Sequence, residues 1–199
     1  VADQWEKKKW AVEEAPVSRF FANTPRLMYF IWNLDFNNID PDVANIRDQV
    51  MAENLIWLKE TLYPEKKIVI WGANSHFGYN RNLLEPADHM IPMGQYLKDR
   101  YGKKMYTLAM TSYDGLQGSI VRDTITAVPV APVEGLESQL KDAGFEYAFI
   151  NLRSDKSKKY LDLRFMARIY GYAEFTGEWT KMADGLLFIK TMEPNIARE

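Results

Sequence analysis

The sequence predicts an α/β fold with a mainly parallel sheet flanked by helices, and three observations lead there. Short apolar runs at 67–71, 105–110, 147–152 and 184–189 suit strands buried on both faces. Stretches with helical periodicity that close on glycine, 92–101 before Gly102 and 135–143 before Gly144, suit the helices between them. The two kinds alternate, and in such folds ligands bind beyond the carboxyl ends of the strands.

In chain order, Trp5, Lys9, Trp10 and Glu13 read as a helix already under way. An aromatic-rich stretch follows, from Phe20-Phe21 to Tyr29-Phe30-Ile31-Trp32, which is either core or a surface made to pack on further chain. Asp40-Pro41 is a helix entry, a capping carboxylate followed by proline at the first helical position. The helix then runs to about Tyr63 and stops near Pro64. At about 100° per residue, Val43, Val50, Met51, Leu55, Trp57, Leu58 and Leu62 share one side, with Gln49, Ala52, Ile56 and Glu60 on the other. Arg47 and Asn54 fall in the middle of the oily side. A neutral polar group buried there without a partner costs roughly 2–7 kcal/mol and a charge more, so both need partners, from the fold or from a ligand.

The run at 67–71 is the first strand and ends at Gly72. After a polar loop come the helix at 92–101 and the strand at 105–110. Residues 119–133, with Pro129 and Pro132, are irregular or a hairpin. The helix at 135–143 and the strand at 147–152 repeat the alternation, 155–159 is a charged, solvated loop, and 184–189 is the terminal strand. No internal repeat is evident, so the 199 residues make a single α/β domain or one half of a larger protein.

Composition narrows the function classes. Hydrophobic residues make up 47% and charged residues 26%, as in soluble globular proteins, and a net charge of −2 gives no case for nucleic acid or an anionic membrane. No apolar run approaches the ~18 residues needed to span a bilayer. With no cysteine, disulfides, thiolate metal sites and a cysteine nucleophile are excluded. The first residue is Val, so a processed or excised segment is expected, and the compartment stays open between cytoplasm and export after signal removal.

Directly after the first strand, Gly72-Ala73-Asn74-Ser75-His76-Phe77-Gly78-Tyr79-Asn80-Arg81 gathers two amides, a hydroxyl, an imidazole and a guanidinium. His76 is a candidate general acid/base, since imidazole titrates near neutral pH, and the alternative is a polar rim residue beside capping Asn74 and Ser75. No Gly-x-Ser-x-Gly elbow, dinucleotide fingerprint or phosphate loop is present. His76 and His89 lack the spacing of a helical pair, so no metal site is expected, and His89 reads as an exposed loop residue.

The order Arg47-Asp48-x-x-Met51-x-x-Asn54, the strand Lys67-Ile68-Val69-Ile70-Trp71, then Asn74-x-His76, Met93-Gly94 and Tyr101-Gly102 resembles the erythromycin esterase family over about 43–115. Weaker agreement reaches Asp184-Gly185-Leu186-Leu187-Phe188-Ile189, similar to that family's last strand. The resemblance implies an α/β hydrolase that opens an ester or lactone, macrolides among them, with activated water and without cofactor or obligatory metal. It implies His76 and Arg47 as catalytic residues, and Asn54, Asn74 and Ser75 as substrate-binding residues. Ala73 stands where the family's segment usually has its first histidine. The family's N-terminal motif with the principal base has no counterpart here, so the chain resembles the C-terminal half of such a hydrolase, inactive alone. The implied partners are a small ester or lactone and either that N-terminal half or a second copy. Two alternatives stand beside this: a non-catalytic member that binds a small molecule, favoured by Ala73, and an interaction domain using its aromatics.

Overall fold

The computed structural model describes residues 23–35, 40–86, 89–119, 124–161 and 164–194. The expected helix around Trp5 to Glu13, and Phe20 and Phe21, lie outside them. The chain divides into two compact units, Val1–Val69 and Ile70–Glu199.

In the first unit, α1 (Thr24–Asn33) packs on α2 (Pro41–Trp57). The Asp40 side chain accepts from the Asp42 N–H at 2.9 Å and Pro41 takes the first turn, as the Asp-Pro entry implies. A π-helical turn, Leu58–Leu62, ends the helix just before Pro64, closed by Tyr63 N–H donating to the Leu58 carbonyl at 2.8 Å. The expected oily side is only partly the buried one. Val43 and Val50 are buried, but so are Ala44, Asp48 and Ala52, a stripe at i, i+4 and i+8. Small Ala44 and Ala52 let neighbours approach closely, which side-chain hydrophobicity alone does not signal. On α1 no residue is buried, and Tyr29, Ile31 and Trp32 are exposed.

The second unit holds α3 (Asn74–Phe77), α4 (Met93–Tyr101), β1 (Leu108–Ser119), β2 (Thr124–Val128), α5 (Leu136–Asp142), β3 (Tyr147–Asn151), α6 (Asp155–Leu161), β4 (Phe165–Ala167), β5 (Phe175–Gly177) and β6 (Gly185–Met192). Four strands form one sheet in the order β2-β1-β6-β3, and β4 pairs with β5 in a second, small sheet. The sheet is mixed rather than mainly parallel: β1 and β6 run parallel, whereas β2 and β3 lie antiparallel to their neighbours. Direction is set by pairings distant in sequence, and β1–β2 form the hairpin allowed for at 119–133. Residues 67–71 are not a strand but exposed chain, with Val69 92% and Trp71 86% accessible. The charged 155–159 segment lies in helix α6, and β4 and β5 were not anticipated.

Side chains alternate across the main sheet. Ala109, Ile150, Leu186 and Phe188 turn to the core, where Ala109, Ile150 and Leu186 meet Leu136 and Leu140 of α5, Ala167, Tyr170 and Trp179. Leu108, Met110, Leu187, Ile189, Tyr147 and Phe149 occupy the opposite face, with Tyr147 73% and Phe149 59% exposed. No helix of the described residues is long and apolar enough to cross a membrane.

Candidate active site

The polar loop after Trp71 folds into the single turn α3, entered through extended Ala73. His76 N–H donates to the Ala73 carbonyl at 3.0 Å and Gly78 N–H to the Asn74 carbonyl at 3.1 Å. His76 itself is half-buried.

Asn74 faces inward and acts as a clamp. Its Nδ2 donates to the carbonyls of Met110 (2.5 Å) and Ile169 (2.7 Å), and its Oδ1 accepts the Met110 N–H at 3.2 Å. One amide thereby imitates a strand's pairing with β1, and both its donors are engaged by main chain. Beyond α3, Asn80 adopts the left-handed conformation asparagine tolerates, φ 54°. Its N–H donates to Gln95 Oε1 and its Nδ2 to the Lys181 carbonyl, each at 2.7 Å. Arg81, buried at 8% exposure, donates from Nη1 to the Ser75 carbonyl at 3.1 Å, while its guanidinium lies 4.5 Å above the Tyr170 ring. Ser75 is half-buried.

Tyr79 carries the brace to the start of the sheet. Its hydroxyl donates to Asp184 Oδ1 at 3.0 Å, which also accepts from Lys98 Nζ (2.9 Å) and Arg153 Nε (2.7 Å); Asp184 Oδ2 accepts the Thr107 N–H at 2.8 Å. Burial pushes the Asp184 carboxyl up, but the hydrogen bonds from Arg153, Lys98 and Thr107 prevail and hold it below the usual carboxylate range. Burial and the neighbouring Asp184 carboxylate push the Tyr79 hydroxyl well above its ordinary value. Sequence reading missed this node, although an aspartate opening a buried apolar strand demands a cation. Arg168 carries the same signal, a charge within an apolar run, and donates to the carbonyls of Pro129, Ser112 and Tyr113.

A cavity of about 10 Å³ beneath the turn, lined by Asn74, Phe77, Gly78, Thr107, Ala109 and Tyr170 among others, holds one water at most. Among the described residues no group of three or more His, Asp or Glu is placed to hold a metal ion.

Asn74, Ser75 and His76 are thus together, whereas Arg47 and Asn54 belong to the other unit. There the Arg47 guanidinium lies 5.7 Å from the Phe30 ring centre, and Asn54 Oδ1 accepts from Asn23 Nδ2 at 3.3 Å. Arg26 joins the same patch through Glu53 at 2.8 Å.

The second unit is, then, a mixed α/β domain with one densely braced, imidazole-bearing loop beside its central strands. The chain belongs to the erythromycin esterase family, whose sequence model matches residues 6–192. It is 30% identical over 167 residues to YbfO of Bacillus subtilis (strain 168), a protein provisionally named a hydrolase. That match takes in 80% of this chain and 37% of YbfO. The fold is similar to a solved protein from Bacillus cereus (TM-score 0.62, 19% identity, 80% of this chain and 41% of that one). It is also similar to a mutant of the erythromycin esterase EreC in its open conformation (TM-score 0.57, 14% identity, 79% and 40%). The chain therefore spans about two fifths of the length of these proteins.

Proposed function

We propose that this chain is part of a hydrolase that cleaves an ester or lactone with an activated water. His76 serves as the general acid/base or as a donor to the developing oxyanion. Ser75 lines the substrate's approach, and Asn74 holds the turn on which Ser75 and His76 sit. The observation that carries this reading is a family match over nearly the whole chain combined with a half-buried imidazole on a turn tied to the sheet from several sides. Such bracing is what a catalytic imidazole requires, since a misplacement of about 1 Å can lower the rate ~10²-fold. The water-sized cavity under the turn admits no substrate. On this reading the base that activates the water comes from another part of a longer protein, and the 199 residues alone are inactive.

The test is a panel of macrolide and simple esters given to a longer protein containing this chain. His76→Asn is expected to lower kcat by about 10²–10⁴-fold at unchanged thermal stability. Unchanged turnover in that variant, or robust hydrolysis by the 199 residues alone, refutes the assignment. Ala73 favours a second reading, a non-catalytic member that binds a small molecule; saturable ligand binding without turnover, unaltered by Ala73→His, selects it.

A further inference from the structure

Arg81 has no role in the reading above, yet the turn bearing His76 hangs from it. Its guanidinium carbon lies over the Tyr170 ring, 4.5 Å from the ring centre, and its Nη1 donates to the carbonyl of Ser75 at 3.1 Å. Tyr170 is a fixed base for that stack, since its ring meets Phe175 edge-on at 6.4 Å and lies 5.7 Å from Trp179, which is 1% exposed. The far end of the turn rests on the same residue. A Cβ at Gly78 would fall 2.0 Å from the Tyr170 hydroxyl, so only glycine allows the turn to close there. The middle and the end of the His76 turn are therefore both referred to Tyr170, one through Arg81 and one by direct approach.

We propose that Arg81 is a positioning residue: seated on Tyr170, it holds the Ser75 carbonyl and thereby fixes the direction in which the His76 imidazole points. A planar guanidinium can stack with its face and donate with its edge at once, which an ammonium cannot. The proposal rests on the catalytic reading of His76, but its structural half can be read without any substrate.

The experiment uses the uniformly ¹⁵N-labelled 199-residue chain, as unmodified protein, Arg81→Gln and Arg81→Lys. In Arg81→Gln, amide exchange at 75–78 is expected to rise at least about tenfold, with displaced His76 ring resonances, while the amides of β6 keep their protection. Arg81→Lys, retaining charge but not shape, falls between. Unmoved His76 resonances, or a rise at 75–78 no greater than in β6, overturn the proposal. Should Arg81→Gln fail to fold, nuclear Overhauser contacts between the Arg81 and Tyr170 side chains in unmodified protein decide, and their absence overturns it. In the longer protein, Arg81→Gln is expected to lower kcat about 10–100-fold with KM nearly constant. Displaced His76 resonances with unchanged kcat would instead retain Arg81 as the holder of the turn and remove His76 from the chemistry.

Discussion

Asn74 shows how a polar side chain can be spent wholly on main chain. It gives two hydrogen bonds and takes one, joining α3 to β1 and to Ile169, and each of its atoms meets the partner its chemistry requires. Asn74→Asp would set an anionic oxygen against two carbonyls 2.5 and 2.7 Å away. It should therefore destabilise by more than Asn74→Ala, which leaves groups unsatisfied at about 1–3 kcal/mol each but adds no repulsion. The aspartate's folded pKa would be raised, so its excess penalty should shrink as pH falls and the carboxyl takes up a proton, a trend that urea denaturation between pH 7 and 4 would read.

Among the elements, α4 shows how closely the loop and its neighbour are fitted. A Cβ on Gly94 would lie 2.1 Å from the Phe77 carbonyl oxygen and 2.6 Å from that of Gly78, and main chain cannot give way there. Helix propensity alone would favour alanine by about 1 kcal/mol. The expected result of Gly94→Ala is instead a loss of about 1–3 kcal/mol, measured by thermal or denaturant unfolding; a gain would mean that α4 does not press on the turn. The same distinction explains what the sequence discloses. Ends written in local chemistry, Asp40-Pro41 and the glycines after α4 and α5, were legible, as was the chemically dense loop at 72–81. The directions of β3 and β6 depend on partners distant in sequence, whereas β4 and β5 are runs of three residues, too short to show a period. α6 was misread because Asp155, Lys156, Lys158 and Lys159 look like solvated loop. That Asn74 turns inward and Arg81 stacks on Tyr170 could not be read from spacing, because both depend on residues about ninety positions away.

For the molecule as a whole, the Asp184 node makes stability depend on pH at both extremes. Asp184 has a depressed folded pKa, so its contribution is complete above the unfolded value of about 3.9 and is lost as pH falls from there through the folded value. Tyr79 has a raised folded pKa, so its contribution is complete below about 10 and is lost as pH rises beyond it. Urea midpoints taken across pH should show a plateau with two falling limbs, and Asp184→Asn should flatten the acid limb. The sheet's second face carries a different consequence. Leu108, Tyr147 and Phe149 stand in water on the outer side of β1 and β3, and among the described residues β3 is an edge strand. How concentrated the chain can become before it clumps is thus expected to follow this uncovered apolar face rather than how firmly its interior is packed.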